Sequence, residues 1–180
     1  MKFSLIVWRA LNLATKPIPV QPLKDGVARC RSRMFRGSSY QTIDLKGRII
    51  VPARFRERIV SGGGNVVVSR LDNCLVAYPE SAWQKVEAKI ESIAVRSPAM
   101  RRFRRIFAGS AAECTCDKQN RILIPPALRE YAMLQKDIVL AGVLSHFEIW
   151  ARENWVEEEK LMETDMADEA VRNEISALGL

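Results

Sequence analysis

Histidine is almost absent from this sequence of 180 residues, since His146 is the only one. Four cysteines are present, but they include no Cys-x-x-Cys pair and have no companion histidines, which argues against a zinc site and a disulfide framework. Gly62-Gly-Gly64 lacks the Gly-Lys-Ser/Thr of a phosphate loop and does not open a helix. No apolar run approaches the roughly 20 residues that cross a bilayer. We therefore expect no enzyme, no metal, no cofactor, no small-molecule ligand and no membrane-spanning segment.

Charge is distributed unevenly, around a formal net charge of +7 at pH 7. Of the 28 basic and 21 acidic residues, three and nine respectively fall in 151–180, so the first 150 positions carry +13. A basic body with an acidic tail favours a polyanionic partner, most simply nucleic acid. Charge alone is weak evidence for specific recognition, because many basic proteins bind nucleic acid only non-specifically.

The first 33 residues differ in composition from the rest, with three prolines that break helical patterns and a balance of +6. Arg9 splits the apolar stretch that a signal peptide would need, and no small-x-small cleavage site follows it. We interpret 1–33 as a disordered basic extension or a misassigned start ahead of Met34, with a targeting segment as the alternative.

A repeated motif organises the remaining sequence. Asp44–Glu57 recurs as Asp117–Glu130 at an offset of 73, with Asp, Arg, Ile, Pro, Arg and Glu coinciding, and the similarity continues downstream at an offset of 72. We therefore divide the chain after residue 33 into two repeats, 34–107 and 108–180.

Both repeats predict the same order of elements: strand, turn, strand, helix, hairpin, helix. The β-branched runs after each turn are typical of buried strands, and the proline that ends each run can begin a short helix. In the first repeat these segments are Ser39–Ile43, Arg48–Val51, Ala53–Ile59, Asn65–Ser69 with Cys74–Tyr78, and Trp83–Val95, followed by a further helix at Ala99–Phe107. In the second they are Ala112–Cys116, Arg121–Ile124, Ala127–Ala132, Asp137–Ala141 with Phe147–Trp150, and one long acidic helix over Trp155–Ser176.

An aspartate opens each turn. The carboxylate of Asp44 or Asp117 can accept the backbone N–H two residues on, which closes a tight turn. Gly47 and Asn120 occupy the equivalent later position, and both residue types tolerate positive φ. We predict that these four residues shape the turns, while the different letters leave open whether the two turns have the same shape.

An arginine ends each turn at the start of a strand. From the exposed end of a rigid element, Arg48 and Arg121 could reach guanine O6 and N7, or a phosphate, in bidentate fashion. Lys46 and Lys118 lie on the same turns and suit phosphate contacts. The alternative is a local Asp–Arg salt bridge at a hairpin, which is a common and weak interaction. Duplication and the positive charge favour double-stranded DNA as the partner.

Two further groups of arginines are weaker candidates. Arg54, Arg56 and Arg58 are spaced by two on a predicted helix, which spreads them around it, so we interpret them as solvated surface first and auxiliary phosphate contacts second.

Arg101-Arg-Phe-Arg-Arg105 is the densest basic cluster. Arg101 and Arg104 are either auxiliary phosphate contacts or part of a helix whose arginines pair with Glu157–Glu159, or with acidic residues of a neighbouring subunit. The acidic residues available in the tail favour the second interpretation.

With D-x-x-x-R-(I/L)-x-(V/I)-P present twice, the sequence resembles the MraZ family. The likeness runs from Met34–Gly37 to about residue 165 and includes Asp44–Pro52, Asp117–Pro125 and Phe147–Trp150. This resemblance implies an α+β fold whose β-barrel-like core is built from two AbrB-like, swapped-hairpin repeats with flanking helices.

The resemblance also implies a function. It implies a transcriptional regulator that is cytoplasmic and associated with the nucleoid. Such a protein forms ring-like homo-oligomers and binds direct repeats in its own promoter, upstream of the division and cell-wall gene cluster. It acts there as a repressor. The alternative is an AbrB-like antitoxin or protein-assembly module. A toxin-binding tail would be disordered, whereas Trp155–Ser176 predicts a helix continuous with the core.

Overall fold

The computed structural model describes residues 34–92 and 97–179. The predicted basic extension, 1–33, lies outside the described residues, and so do residues 93–95 of the predicted helix Trp83–Val95. Within the described ranges, no helix is long and apolar enough to cross a membrane.

Strands and helices follow the same order in both repeats. The first contains β1 (Phe35–Thr42), β2 (Arg48–Ile50), α1 (Ala53–Ser61), β3 (Asn65–Leu71), β4 (Cys74–Pro79), α2 (Glu80–Ser92) and α3 (Pro98–Phe107). The second contains β5 (Ala112–Thr115), β6 (Arg121–Leu123), α4 (Pro126–Tyr131), β7 (Asp137–Leu144), β8 (His146–Ala151), α5 (Arg152–Asp165) and α6 (Glu169–Ser176). The mixture of helices with a large antiparallel sheet confirms the predicted α+β class.

The two repeats exchange strands. Six strands form one antiparallel sheet in the order β1-β7-β8-β4-β3-β5, and β2 pairs with β6 in a separate two-stranded ribbon. β1 pairs along its whole length with β7 of the other repeat, from Phe35 opposite Leu144 to Thr42 opposite Asp137. β5 pairs in the same way with β3. When each strand is replaced by its counterpart in the other repeat, the result is the same order read in reverse. The repeats are therefore related by an approximate two-fold axis between β4 and β8.

Side chains on the large sheet alternate between two cores because successive residues of a strand point to opposite faces. On β3, Val66 and Val68 belong to the first core, whereas Val67 belongs to the second. The first core lies under α1, α4 and the ribbon, whose Ile49 and Ile122 are fully buried in it. Burial of these aliphatic side chains is what holds the ribbon against the sheet.

The second core lies on the opposite face of the sheet, under α2 and α3. Trp83 of α2 stacks on Phe107 of α3 with ring centroids 5.5 Å apart, and Phe103 stacks on Phe107 at 5.2 Å. Trp155 of α5 packs edge-on against Trp150 at 5.9 Å. The ribbon and these helices therefore lie on opposite sides of the sheet.

Two local predictions were wrong. The β-branched runs after the two turns were predicted to be buried strands, but they are only half buried. The short ribbon has an outward face, on which Ile50 and Leu123 are exposed. The single helix predicted over Trp155–Ser176 is two helices: α5 ends at Asp165, and the Asp168 carboxylate caps α6 by accepting the Ala170 N–H at 2.8 Å. An aspartate side chain competes for backbone N–H groups in this way and favours a new helix start over a continuous helix.

Candidate nucleic-acid interface

The first turn is closed by the side chain of Asp44. Its Oδ1 accepts the backbone N–H groups of Lys46 and Arg48, both at 2.9 Å. Its backbone carbonyl accepts the Gly47 N–H at 2.8 Å, and Gly47 has a φ of 83°. These hydrogen bonds close the turn and leave the second carboxylate oxygen of Asp44 for another partner.

That second oxygen holds the arginine. Arg48 donates from both Nε and Nη2 to Asp44 Oδ2, each at 2.6 Å. The Arg48 hydrogen bonds lower the pKa of Asp44 from 3.8 to about 2, so the carboxylate is ionised throughout the neutral range. A guanidinium carries five N–H groups, so those of Nη1 and one of Nη2 face away from this pair.

The second turn repeats this arrangement. Asp117 Oδ1 accepts from the backbone of Gln119 at 2.8 Å and of Arg121 at 2.9 Å, and Oδ2 accepts from Arg121 Nε at 2.8 Å. Asn120 has a φ of 59°, in the same left-handed region as its glycine counterpart. The different letters at this position therefore give turns with the same hydrogen bonds.

Each turn is also fastened to the strand of the other repeat. The Val51 N–H donates to the Asn120 carbonyl and the Ile124 N–H donates to the Gly47 carbonyl, both at 2.9 Å. The two turns thus lie at opposite ends of the ribbon, and a movement of one repeat relative to the other would break both bonds. This coupling fixes the two arginines relative to each other.

The outward face of the ribbon presents both arginines together. Arg48 pairs with Leu123 and Arg121 pairs with Ile50, so these four side chains share the face opposite the buried Ile49 and Ile122. Diagonal neighbours of this kind lie about 7–8 Å apart across an antiparallel pair. We call this set of four residues (Arg48, Ile50, Arg121, Leu123) the ribbon face.

The two aliphatic members of the ribbon face were not predicted as site residues. Ile50 is 50% exposed and Leu123 is 55% exposed, although both stand in runs that resemble buried strands. The signal that could have found them is their position two residues after each arginine, since residues i and i+2 share a face of a strand.

The predicted lysines lie on the turns, but at different positions. Lys46 is the second residue after its aspartate, where the other turn has Gln119, whereas Lys118 is the first, where the other turn has Leu45. All four side chains are exposed. The two turns therefore share their arginine geometry but not their cations.

The arginines of α1 are more engaged than the sequence suggested. Arg54 donates to the carbonyl of Ser38 on β1, and Arg56 donates from Nε to the Val51 carbonyl at 3.0 Å. Arg56 and Arg58 are half-buried, so their interpretation as solvated surface was wrong. Arg54 is exposed and stays a predicted auxiliary contact.

Arg101 and Arg104 lie on the far side of the sheet from the ribbon face. They belong to an exposed basic patch on α3, which we define as Arg101, Arg102, Arg104 and Arg105. The sheet therefore separates these two predicted auxiliary contacts from the turn arginines.

An exposed acidic patch lies on α5, which we define as Glu157, Glu158, Glu159 and Glu163. Within residues 34–92 and 97–179, no ion pair joins the basic patch to the acidic patch. Glu157 of the acidic patch pairs instead with Lys160 of the same helix, at 2.7 Å. The intrachain pairing that we considered for α3 is therefore not formed between these residues.

Comparison with known proteins places these features in one family. The family described as "MraZ protein, putative antitoxin-like" matches the chain twice, over residues 34–106 and 107–173. The Transcriptional regulator MraZ of Desulforapulum autotrophicum is 57% identical over 148 residues, which is 82% of this chain and 100% of that protein.

Two further relatives carry the same name. That of Desulfosudis oleivorans is 49% identical and that of a Thermoanaerobacter species is 41% identical, each over 147 residues, 82% of this chain and 100% of the relative. The chain belongs to the MraZ family.

Proposed function

We propose that this transcriptional regulator binds double-stranded DNA through the ribbon face and recognises direct repeats in the promoter of its own gene. The observation that carries the proposal is the pair of arginines, each held by an aspartate, on one outward face. A two-stranded antiparallel ribbon is narrow enough to enter the major groove, where base pairs present distinct patterns of donors and acceptors.

The Asp–Arg pairs support recognition because they fix the arginines before DNA arrives. With Nε and Nη2 tied to a carboxylate oxygen, the Arg48 and Arg121 side chains lose conformational freedom during folding and not during binding. The Nη1 edge of each guanidinium then suits the O6 and N7 acceptors of guanine. A surface salt bridge alone would add little stability, so two identical pairs on one face favour a binding role.

Ile50 and Leu123 add an apolar component to the same face. In the major groove, aliphatic side chains contact the C5 methyl group of thymine. An alternation of arginine and aliphatic side chains therefore suits a short site that mixes G·C and T·A pairs. Lys46 and Lys118 are exposed at the ends of the ribbon, and in this proposal they contact phosphates.

Oligomerisation is the second part of the proposal, because one ribbon offers only a small contact surface. In a ring-like homo-oligomer, several ribbon faces would engage successive repeats, and avidity would raise the affinity without new contacts. The basic patch of one subunit and the acidic patch of the next are complementary in charge, and both are exposed in the single chain. We propose that these two patches meet between subunits. We also propose that each chain has a swapped-hairpin fold in which the ribbon completes a barrel-like core.

The regulatory role follows from where the protein would bind. Occupying repeats upstream of its own gene, in the division and cell-wall gene cluster, would exclude or position polymerase, and we propose repression as the outcome. Such a protein would act in the cytoplasm, associated with the nucleoid.

An antitoxin or protein-assembly role is the second candidate, favoured by the words "antitoxin-like" in the family description. That role needs a segment for a protein partner, and the exposed Leu161, Met162 and Met166 of the α5 region are the apolar side chains available for one. The same residues lie beside the acidic patch, so a subunit interface uses them equally well.

Footprinting on the DNA upstream of the chain's own gene tests the proposal. We expect protection of regularly spaced repeats, and a much weaker shift for a shuffled fragment of the same length at the same salt concentration. Equal affinity for both fragments would contradict sequence-specific regulation. Co-purification with one stoichiometric protein partner, without DNA protection, would favour the second candidate.

A further inference from the structure

Arg129, from α4 of the second repeat, lies on the turn of the first repeat. A Cβ atom built on Gly47 would meet Arg129 Cζ and Nε at 2.7 Å, so the arginine side chain packs directly on the Gly47 backbone. Gly47 immediately precedes Arg48, and a larger residue at position 47 would have to displace the Arg129 side chain. Arg129 therefore lies beside the ribbon face, although it comes from a different element.

The guanidinium of Arg129 lacks a protein acceptor. Its Nε is buried without a hydrogen-bond partner, and neither a hydrogen bond nor an ion pair engages Arg129 elsewhere in the described part of the chain. A buried donor without an acceptor is destabilising. The Nη groups of the same guanidinium are therefore the donors that an anion in a neighbouring cleft can reach.

A cleft opens next to Arg129. It has a volume of about 330 Å³ and is lined by Ile43, Asp44, Leu45, Arg129, Gln135 and Lys136. The Lys136 side chain is exposed, while its backbone carbonyl accepts the Ile43 N–H at 2.9 Å and so fixes its position beside the turn. The Asp44 carboxylate is already occupied by Arg48 and two backbone N–H groups. Two cations without acidic partners therefore face the cleft.

We propose that this cleft binds a phosphodiester of the DNA backbone, with Arg129 and Lys136 as its donors. The inference rests on the proposed function and assigns one backbone contact to the same site. A guanidinium suits the paired oxygens of a phosphate, and an ammonium adds a point charge beside it. Phosphate contacts of this kind set the register of a protein on the duplex while the base contacts provide specificity.

The second turn differs at the positions equivalent to these two cations. Arg56 stands at the repeat position of Arg129, but its Nε is satisfied by the Val51 carbonyl at 3.0 Å. The position of Lys136 corresponds to Gly63 or Gly64 at the two repeat offsets. A phosphate contact at one end of the ribbon, added to the different positions of Lys46 and Lys118, gives each subunit a defined direction on DNA, which direct repeats require and palindromes do not.

The salt dependence of binding tests the proposal, with a promoter fragment and an unrelated duplex of equal length as probes. The logarithm of affinity falls with the logarithm of salt concentration by about 0.9 for each neutralised phosphate. We expect Lys136→Gln and Arg129→Gln each to reduce that slope, by up to about 0.9 for each bound subunit, with the ratio between promoter and unrelated duplex unchanged. Lys136→Gln leaves the backbone contact to Ile43 in place, so it keeps the fold even if Arg129→Gln does not.

Two matched variants separate a phosphate contact from other effects. Arg56→Gln removes the equivalent arginine of the other repeat, and Lys85→Gln removes an exposed charge from α2. Both should keep the wild-type slope. The proposal would be overturned if Lys136→Gln kept the wild-type slope and Arg129→Gln only lowered the stability of the fold. Arg129 would then merely support the turn. An equal loss of slope in Lys85→Gln would overturn it too, since the effect would then be general charge.

Two more outcomes are distinguishable. If inorganic phosphate raises the melting temperature of the wild type but not of Lys136→Gln, at constant ionic strength and with equal DNA slopes, the cleft binds a free anion and the proposal fails. If the wild type does not prefer the promoter fragment, the proposed function fails, yet the slope on the unrelated duplex still reports on the cleft.

Discussion

Replacing the turn arginines is the most direct test of the ribbon face. In Arg48→Ala and Arg121→Ala, the aspartate keeps its two backbone hydrogen bonds, so each turn retains its closure while the guanidinium is lost. Both arginines point away from the first core, whose ribbon members are Ile49 and Ile122. We therefore expect folded variants with altered DNA binding.

The magnitude follows from the number of base contacts removed. One bidentate arginine–guanine pair contributes about 1–3 kcal/mol of discrimination, which corresponds to about 5- to 150-fold in affinity. On a duplex with a single repeat, each variant should lose that much preference over an unrelated duplex. In an oligomer bound to several repeats, the losses combine at every engaged subunit, so binding to the full promoter should fall more steeply.

Fluorescence anisotropy at fixed salt concentration measures these affinities, and size-exclusion chromatography verifies that the oligomeric state is that of the wild type. Arg172→Ala, which removes an exposed arginine from α6, is the control for general charge. If Arg48→Ala and Arg121→Ala both bind the promoter as the wild type does, the ribbon face is not the recognition surface. The double variant shows whether these diagonal neighbours act independently, since contacting sites are frequently non-additive.

Three further predictions concern the turn, the sheet and the oligomer. The lowered pKa of Asp44 means that its stabilising charge is present above the unfolded value near 3.8 and lost as pH falls through about 2. Asp44→Asn should therefore flatten the melting-temperature profile between pH 5 and 2 and weaken DNA binding at pH 7 by releasing Arg48. Gly142→Ala should destabilise the fold by about 1–3 kcal/mol in urea unfolding, because its Cβ would lie 2.5 Å from a backbone nitrogen of β1, whereas Gly109→Ala meets open space and should be neutral. Replacing the acidic patch by lysines should dissociate the oligomer in light scattering, and mixing in subunits whose basic patch is reversed to glutamate should restore assembly; a stable wild-type oligomer in the lysine variant would contradict the proposed interface.

The turns could be predicted from the sequence because their chemistry is local. Asp44, Gly47 and Arg48 lie within five consecutive positions, and every hydrogen bond that closes the turn joins two of them or Lys46. Side-chain hydrogen bonds over such short separations depend little on the rest of the fold. The repetition of this pattern then indicated the candidate site.

The contacts between the repeats could not be predicted in this way. The pairing of Arg36 with Val143 depends on which edge of the sheet is open, and a periodicity within one segment carries no such information. The position of Arg129 on Gly47 has the same origin, since it requires α4 to lie against the opposite turn. A strand of three residues is also too short for the alternation that would have shown Ile50 to be exposed.

The exchange of strands has a consequence for how the chain folds during synthesis. Of the described strands β1 is made first, but its partner β7 ends at Leu144, so β1 must wait until about half of the second repeat has left the ribosome. Pairings between such distant segments form slowly, because a long loop must close before any contact stabilises it. During that interval, the hairpin of β3 and β4 presents an unpaired edge that β5 covers only later. Neighbouring nascent chains on one messenger expose the same unpaired edges during that interval, which is the condition under which equivalent strands are exchanged between chains.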